Sequence, residues 1–297
     1  MSKWKILGIV GIVISLFVCS LSASYLQAQL FIHNLADQRS QSNHTPADYG
    51  MKYENVELNT DDGYRLAAWY IPAENRAAVI LVHGYKDRRE SVLTVAQILA
   101  RHGYGLLLLD LRAHGKSQGE VISFGLNETR DINAAYEYLS NQPEVDPERV
   151  GAIGASMGGS IVLLNAAQNT NIKAIVSESA YASLEDEVPV AIEGNGLPFF
   201  LAPLVQRFAE QNVGFKSEQV SAVNYIAKIS PRPIFILQGG MDNVVPPESG
   251  QQLYDAAKEP RELWFEPDLW HAEFPAKLPE EYEKRVVAFF DQYLLGK

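Results

Sequence analysis

The sequence predicts a doubly wound α/β fold, in which a mostly parallel β-sheet is covered by helices on both faces. Short continuous apolar runs at residues 77–82 and 105–109 are typical of strands buried on both sides, and helical patterns separate such runs. An Asp-Gly turn at residues 62–63 joins two earlier β-type runs and indicates an antiparallel hairpin at the start of the sheet. A G-A-S-M-G motif at residues 154–158 lies between a strand pattern and a helix pattern, as expected of a strand-to-helix unit in this fold.

The remaining elements follow from the same two patterns. Short apolar or alternating runs predict strands, and runs with a helical period predict helices. This alternation of β and α elements indicates one sheet covered on both faces. Strands are expected at residues 56–59, 65–71, 77–82, 105–109, 149–153, 173–177, 233–238 and 261–265. Helices are expected at residues 89–102, 129–140, 157–168, 248–257 and 279–295.

One stretch breaks the alternation. Roughly fifty residues separate the strand that ends near residue 179 from the strand that begins at residue 233, whereas about two to six are usual between such elements. The stretch contains an apolar run at residues 197–208. We therefore expect a helical cap, inserted at about residues 182–228 over the C-terminal edge of the sheet.

Composition narrows the class of partner and cofactor. The net charge is −11 and the isoelectric point is about 5.1, so the chain lacks the basic surface that nucleic-acid binding needs. The single cysteine, Cys19, allows no intrachain disulfide and no cysteine-based metal site. The chain has no H-E-x-x-H, no G-x-G-x-x-G in the first βα unit and no Walker loop, so we expect no metal and no organic cofactor.

The G-A-S-M-G motif has the form of a nucleophile elbow. The strand has to turn sharply into the helix, which leaves Ser156 in a strained backbone conformation with its hydroxyl exposed. Side chains at Gly154 and Gly158 would collide with the neighbouring backbone, so both positions need a very small residue. The helix that follows points its free N–H groups at the same place, so the amide of Met157 is a candidate oxyanion donor.

Three motifs together resemble the α/β-hydrolase superfamily. They are His-Gly-Tyr at residues 83–85, D-L-R-A-H-G-K-S at residues 110–117 and G-A-S-M-G-G at residues 154–159. The resemblance is closest to membrane-anchored or exported hydrolases of the serine aminopeptidase-like and Bem-type groups, and it runs from about residue 56 to residue 295. It implies an α/β-hydrolase fold with a catalytic triad in the chain order Ser, Asp, His.

The resemblance assigns a role to each matching position. It implies that Ser156 is the nucleophile, that Asp242 after a late strand is the acid, and that His271 after the last strand is the base. The turn after His-Gly matches the loop that completes the oxyanion hole. The N–H groups of Tyr85 and Met157 would then bind the oxyanion.

The chemistry of a serine nucleophile supports the same choice. A serine hydroxyl needs a base to remove its proton, and the base needs a carboxylate to fix its tautomer. Of the six histidines, His271 occupies the late loop that can reach the elbow. Asp242 is the preferred acid and Glu178, which follows another strand, is the alternative. Asp110 is expected to tie its own loop together, with Arg112 as a candidate partner.

These residues predict a serine hydrolase that cleaves a carboxylic ester, or a related acyl bond, of a small-molecule substrate through an acyl-enzyme intermediate. An aminopeptidase or thioesterase on the same triad is an alternative, and so is a non-catalytic binding protein on a hydrolase scaffold. We expect Phe199, Phe200, Leu201 and Leu204 to line an acyl pocket above Ser156. Packing against the sheet edge, or contact with a partner or a membrane, would explain the same apolar residues.

The N-terminus carries a candidate membrane segment. Residues 6–26 contain no charge, and a helix of that length would be roughly 31 Å long, about the thickness of a bilayer core. Lys3 and Lys5 precede the segment, so the positive-inside tendency predicts a cytoplasmic N-terminus and a catalytic domain on the non-cytoplasmic side. We expect residues 1–35 to form a single-pass anchor; the alternative is a signal peptide cleaved near residues 22–24, which would leave a secreted protein.

A polar stretch at residues 36–50 is expected to be a linker between this anchor and a folded α/β-hydrolase domain at residues 51–297. If the linker separates the two parts, a chain that starts near Pro46 should be soluble and active.

Overall fold

A computed structural model of the chain describes residues 3–36, 39 and 43–297 and contains an eight-stranded sheet with helices on both faces. The predicted doubly wound fold is confirmed, and every predicted strand is present close to its expected bounds. The strands are β1 Glu54–Asn59, β2 Arg65–Ile71, β3 Ala78–Val82, β4 Gly105–Leu109, β5 Val150–Ala155, β6 Ile175–Glu178, β7 Ile234–Gly239 and β8 Arg261–Glu266. The helices are α1 Lys3–Ile32, α2 Leu93–Arg101, α3 Glu128–Ser140, α4 Met157–Gln168, α5 Leu184–Gly194, α6 Ala202–Val213, α7 Glu248–Ala256, α8 Phe274–Lys277 and α9 Pro279–Phe290.

The strands lie in the order β1-β2-β4-β3-β5-β6-β7-β8. Strand β2 is antiparallel to both β1 and β4, so the predicted hairpin is the β1–β2 pair, and all other neighbouring strands are parallel. Because parallel strands end at the same edge of a sheet, the loops after β3, β5, β7 and β8 meet there. Those loops carry Tyr85, Ser156, Asp242 and His271, in that order.

The two faces of the sheet bury separate hydrophobic clusters, because successive side chains of a strand point to opposite faces. In β3, Ala78, Ile80 and Val82 belong to one cluster, whereas Val79 and Leu81 belong to the other. The first cluster includes residues of α3, α4 and the cap, and the second includes residues of α2 and α9. Every side chain of β3 is therefore buried, which explains its continuous apolar sequence.

Two predicted helices differ from expectation at their ends. The helix expected at residues 89–102 begins as a 3₁₀ turn at Arg89–Val92 and becomes α-helical only in α2. The helix expected at residues 279–295 is α-helical only in α9, and a wider π-type turn follows it at Asp291–Leu295. Terminal turns often depart from α geometry, because no further turn holds them in place.

Helices α5 and α6 lie in the insertion between β6 and β7, where the cap is expected. A 3₁₀ turn at Phe199–Leu201 leads into α6, and further short 3₁₀ turns lead from α6 back to β7. Pro203 lies in the first turn of α6. Backbone N–H groups in a first turn have no partner inside the helix, so the missing N–H of proline costs no hydrogen bond there. The helix therefore begins at this proline-containing turn and is not interrupted by it.

Helix α1 has two parts with different surroundings. It contains an apolar stretch long enough to cross a membrane, and none of that stretch is buried. Its last turns, in contrast, pack mainly against α6 of the cap. This differs from the expectation of a separable anchor, because every third or fourth residue of the last turns is buried against the folded domain. The buried residues of α1 are Ser24, Gln27, Ala28, Phe31 and Ile32.

The expected linker lies partly outside the described residues, since the structure does not describe residues 37, 38 and 40–42. Within it, the side chain of Arg39 donates hydrogen bonds to the carbonyl oxygens of Asn34 and Ser117, at 2.9 and 2.6 Å. At this position the chain between α1 and β1 is therefore attached to the loop that follows β4.

Candidate active site

Ser156 lies at the turn between β5 and α4, at the carboxyl edge of the sheet. Its backbone angles, φ 55° and ψ −126°, are strained for a residue with a side chain. A Cβ at Gly154 would lie 2.3 Å from the carbonyl oxygen of Gly158, and a Cβ at Gly158 would lie 2.5 Å from that of His83. Both distances are far below van der Waals contact, so the turn excludes any larger residue at these two positions. The elbow geometry expected from the sequence is present.

The loops after β7 and β8 bring Asp242 and His271 into contact. Atoms His271 Nδ1 and Asp242 Oδ2 are 2.8 Å apart, and we assign the proton to Nδ1, because a carboxylate can only accept. The other carboxylate oxygen accepts the backbone N–H groups of Val244 and Val245, both at 2.9 Å. The Asp242 side chain is completely buried, whereas that of His271 is 19 % exposed. This arrangement leaves Nε2 of the imidazole with a lone pair.

Ser156 and His271 line the same cavity, which has a volume of about 390 Å³ and is named here the imidazole-side cavity. The loop after β3 passes directly beside the serine, because a Cβ at Gly84 would lie 3.2 Å from Ser156 Cβ. Asp87 and Glu178 also line this cavity. It therefore offers a space that a serine hydroxyl and an imidazole both reach.

Glu178, the alternative acid, is held by other partners. Its carboxyl group accepts the backbone N–H of Phe274 at 3.3 Å and the hydroxyl of Tyr282 at 3.4 Å. Burial raises the pKa of Glu178 to about 7. The geometry thus pairs His271 with Asp242 and leaves Glu178 bound to the helices that follow the histidine loop.

Asp110 holds its own loop through Lys116 and also holds the segment after β3 through Arg89, neither of which is the expected partner. Its carboxylate accepts the backbone N–H groups of Arg89 and Lys116, at 2.8 and 3.0 Å. The prediction that Arg112 is the partner of Asp110 is wrong. Its guanidinium lies 2.8 Å from Asp131 instead, because the side chain reaches toward α3.

Two buried histidines hold the loops around the elbow. His83 Nε2 accepts the backbone N–H of Leu111, and His114 Nε2 accepts that of Lys86, both at 3.1 Å. Burial lowers the pKa of both imidazoles, so they stay neutral and can act as acceptors. These contacts fix the backbone on either side of Tyr85.

Two backbone amides next to the serine are available to an anion. Within the described residues, no acceptor is paired with the backbone N–H of Tyr85 or of Met157. Met157 is the first residue of α4, where the N–H groups have no partner inside the helix. Such unpaired donors beside Ser156 are the groups that an oxyanion hole requires.

Helix α1 is bonded directly to the loop that carries Tyr85. The Tyr85 hydroxyl donates to the carbonyl oxygen of Phe31 at 2.7 Å, and Lys86 Nζ donates to that of Leu30 at 2.6 Å. Both carbonyls belong to the last turn of α1, where they have no partner inside the helix. A cation at this end also interacts favourably with the helix dipole. The sequence contained no signal for this contact.

A second cavity, of about 280 Å³, lies between Ser156 and the cap and is named here the cap-side cavity. Its walls are mainly apolar. They include the end of α1, since Phe31 lines the cavity together with Phe124, on which it stacks with ring centroids 4.7 Å apart. Sequence reasoning missed Phe31 because the uncharged membrane segment continues through this position. The apolar lining residues include Phe31, Phe124, Tyr181, Leu184 and Val190.

The four residues expected to line an acyl pocket lie elsewhere. Phe199 and Phe200 are 63 % and 65 % exposed, and neither Leu201 nor Leu204 lines one of the two cavities. Leu201 is buried inside the cap and Leu204 packs against the same hydrophobic cluster. The physical reason is that α5, and not the turn before α6, is the cap element that faces Ser156.

One acidic side chain of the cap faces the cap-side cavity. Glu187 lines this cavity, and its Oε2 atom is buried without a hydrogen-bond partner among the described residues. Burial and the nearby charge of Asp242 raise the pKa of Glu187 to about 8. Glu187 is therefore mostly neutral at pH 7.

Comparison with known proteins decides the family. The profile of the family described as serine aminopeptidase, S33, matches residues 73–228, more than half of the chain. The chain belongs to this family of α/β-hydrolases. The hydrolase is 29 % identical over 245 residues to protein YfhR of Escherichia coli (strain K12), with 80 % of each chain covered. It is 26 % identical over 209 residues to protein bem46 of Schizosaccharomyces pombe, covering 68 % of the hydrolase and 65 % of that protein.

Solved structures agree with this assignment. The Pyrococcus furiosus esterase Pf2001 is 30 % identical and superposes with a TM-score of 0.75, covering 89 % of the hydrolase and 98 % of the esterase. An acylaminoacyl peptidase is 20 % identical with a TM-score of 0.65 over 82 % of the hydrolase and 42 % of the peptidase, a likeness of fold alone. The resemblance noted in the sequence is confirmed: the protein is a hydrolase with the α/β-hydrolase fold.

Proposed function

We propose that the protein is a serine hydrolase of carboxylic esters, with Ser156 as nucleophile, His271 as base and Asp242 as the acid that orients the base. The observation that carries this proposal is the His271–Asp242 contact, with 2.8 Å between Nδ1 and Oδ2, in reach of a cavity that Ser156 also lines. A buried carboxylate that holds one imidazole nitrogen leaves the other nitrogen able to accept a proton.

The first half of the reaction transfers the acyl group to the enzyme. Ser156 Oγ attacks the carbonyl carbon of the ester while His271 Nε2 takes the hydroxyl proton. The carbonyl oxygen becomes an oxyanion that accepts hydrogen bonds from the N–H groups of Tyr85 and Met157, and one such donor is typically worth about 3 kcal/mol of barrier. The carbon–oxygen bond to the alcohol then breaks, and His271 gives its proton to the leaving oxygen.

The second half of the reaction releases the acid. A water molecule replaces the alcohol, and His271 removes its proton as the oxygen attacks the acyl carbon. The same two amides stabilise the second oxyanion. The bond to Ser156 breaks, the proton returns to Oγ, and the enzyme is regenerated.

The two cavities beside Ser156 differ in their walls, which supports an ester substrate whose acyl chain and alcohol occupy different cavities. The mainly apolar cap-side cavity, with Phe31, Leu184 and Val190, suits the acyl chain. The imidazole-side cavity contains His271 and suits the leaving alcohol. Similarity to an esterase at 30 % identity also supports esters over amides.

An aminopeptidase is a second candidate, and Glu187 is the observation that favours it. A carboxyl group with an unpaired oxygen beside the nucleophile can bind the α-ammonium group of an aminoacyl substrate, and the ammonium charge would favour its ionised form. Glu187→Gln would then abolish hydrolysis of aminoacyl amides. An esterase would retain hydrolysis of simple acyl esters after the same substitution.

Labelling with a fluorophosphonate probe tests the proposal without a known substrate. The wild type should be labelled and Ser156→Ala should not; an unlabelled wild type would instead indicate a non-catalytic binding protein. p-Nitrophenyl esters of graded acyl length are then compared with aminoacyl amides and acyl thioesters. A preference for esters of about tenfold or more in kcat/KM supports the proposal. A preference for aminoacyl amides that Glu187→Gln removes supports the second candidate.

We further propose that α1 is a single-pass membrane anchor with a cytoplasmic N-terminus. Its exposed apolar stretch and the preceding Lys3 and Lys5 support this arrangement. A signal peptide cleaved near residues 22–24 has the same pattern and is distinguished by the N-terminus of the mature protein.

A further inference from the structure

The last part of α1 and helix α6 of the cap run in the same direction. The rings of Tyr25 and Phe208 are in edge contact, with centroids 5.5 Å apart. Phe31 lies 4.7 Å from Phe124, which lies 6.2 Å from Phe215, just beyond the C-terminal end of α6. In an antiparallel pair, Phe31 and Phe215 would be about 20 Å apart along the helix axes. Phe124 instead joins the two rings at 4.7 and 6.2 Å, which favours the parallel arrangement.

The turn between α5 and α6, residues 196–200, is named here the cap tip. Phe200 precedes Phe208 in the sequence, and the interval corresponds to roughly 12 Å toward the N-terminal end of α6. The same distance from Tyr25 along α1 leads to the neighbourhood of Phe17, where the helix is apolar and exposed. The cap tip is therefore level with the part of α1 that has no protein around it.

A bilayer that accepts α1 also reaches the cap tip. The hydrocarbon core takes about 20 helical residues, so a span that begins after Lys5 ends near Tyr25. Full burial of α1 by the protein begins only at Ser24. The cap tip lies before this boundary, on the bilayer side, and residues 194–200 carry no charge.

The cap-side cavity adjoins the cap tip. Gly194 and Asn195 line the cavity and directly precede the tip in the chain. Phe31, in the last turn of α1, lines the same cavity. The space beside Ser156 is thus bounded by the two elements that would meet the bilayer.

We propose that the cap tip inserts into the lipid bilayer beside α1, and that the hydrolase takes an acyl lipid from that bilayer into the cap-side cavity. Exposed Phe199 and Phe200 are suited to this place, because aromatic and apolar side chains gain by leaving water at a membrane interface. The net charge of −11 favours a bilayer of uncharged lipids over an anionic one. This inference rests on the proposed anchor and on the proposed ester hydrolysis.

Insertion is tested by fluorescence on the full chain. Cys19 is the only cysteine, so its replacement allows a thiol dye to be attached at one chosen position. In a Cys19→Ser background, a polarity-sensitive thiol dye is attached at Phe200→Cys. The matched control is Phe265→Cys on β8, a phenylalanine that is 47 % exposed. Both proteins are reconstituted into phosphatidylcholine vesicles that contain lipids with brominated chains. Quenching at position 200 should exceed quenching at position 265 by about threefold or more.

Two results would overturn the insertion. One is equal quenching at the two positions, which would put the cap tip in water. The other is a dye at position 200 that lipid does not quench and aqueous iodide cannot reach, which would indicate a protein partner or a second copy of the chain.

Activity tests the origin of the substrate. The measured quantity is the ratio of kcat/KM for a long-chain ester embedded in phosphatidylcholine vesicles to kcat/KM for a dissolved acetate ester. In the double variant Phe199→Ser/Phe200→Ser this ratio should fall about tenfold, while Phe265→Ser should leave it unchanged. Quenching can also be measured on a Ser156→Ala chain. Quenching by a chain that keeps Ser156 but hydrolyses no ester would contradict the proposed function, whereas ester hydrolysis with no quenching and an unchanged ratio would contradict the insertion.

Discussion

The contact between His271 and Asp242 determines which imidazole nitrogen can act as a base. In Asp242→Asn the amide can donate to Nδ1, which would favour the wrong tautomer. We expect kcat for a p-nitrophenyl ester to fall on the order of 10⁴-fold, with little change in the fold.

Glu178→Gln is the matched control for this substitution, because Glu178 is also a buried carboxyl group that lines the imidazole-side cavity. Its partners are Phe274 and Tyr282, so its loss should affect stability more than kcat. Near-normal activity of Asp242→Asn together with an inactive Glu178→Gln would reassign the acid to Glu178.

Glu187 makes the free energy of unfolding depend on pH. Its pKa is raised from 4.5 to about 8 in the folded protein, so the folded state binds more protons than the unfolded state between these values. The carboxyl group therefore destabilises the fold increasingly as the pH rises through this range. In Glu187→Gln this cost is absent, and the variant should melt a few degrees above the wild type at pH 9 and near it at pH 5.

Scanning calorimetry at the two pH values measures this difference, and the titration of Glu178 cancels because both proteins contain it. Glu185→Gln, an exposed acid on the same helix, should show no pH-dependent difference from the wild type. A melting difference that is the same at pH 5 and pH 9 would mean that Glu187 is not titrating as described.

At the scale of the element, the last turns of α1 form part of the candidate active site, because Phe31 lines the cap-side cavity with Ser156. A chain that starts at Leu21 keeps the buried residues of α1, whereas a chain that starts at Pro46 loses them all. The shorter chain would expose Phe124 and Tyr85 and lose the wall that Phe31 forms. We expect it to melt several degrees lower and to lose about tenfold or more in kcat/KM on an acetate ester, because several large side chains lose their burial.

The chain that starts at Leu21 is the control, and it should match the full chain on the same dissolved ester. Both truncated chains are compared by circular dichroism before their activity is measured. If the chain that starts at Pro46 is as stable and as active as the longer one, the end of α1 is dispensable and the expectation of a separable anchor is correct.

The strands and helices could be predicted from the sequence. What two apolar segments, the end of α1 and the turn before α6, pack against could not. Strand β3 has to be apolar throughout because both faces are buried, and Gly154 and Gly158 have to be small because backbone lies against them. Burial in a bilayer and burial under a cap both require apolar residues, so composition could not separate Phe31 from the membrane segment. For the same reason Phe199 was expected in a pocket, although it is exposed.

At the scale of the whole molecule, the proposed anchor determines where the hydrolase is found. The full chain should sediment with membranes and resist extraction by alkaline carbonate, because α1 has an uncharged apolar stretch long enough to span a bilayer. Protease added to the non-cytoplasmic side should cleave the catalytic domain, and protease on the cytoplasmic side should not.

Sequencing of the mature N-terminus distinguishes the anchor from a signal peptide. A chain that retains Lys3 and Lys5 supports the anchor. A chain that begins near Tyr25 and is released from the membrane would show cleavage, although it would keep most of the turns that pack against the cap.

The position of Phe31 has a consequence for selective inhibition. The proposed nucleophile, Ser156, lies inside residues 73–228, the segment that matches the family profile, whereas Phe31 lies well outside it and still lines the cap-side cavity. A reactive group aimed at the serine meets the amides of Tyr85 and Met157, which the shared segment provides. An inhibitor whose acyl-like arm reaches Phe31 touches a surface that the shared segment does not build. Discrimination between this enzyme and its relatives should therefore be designed against the end of the N-terminal helix.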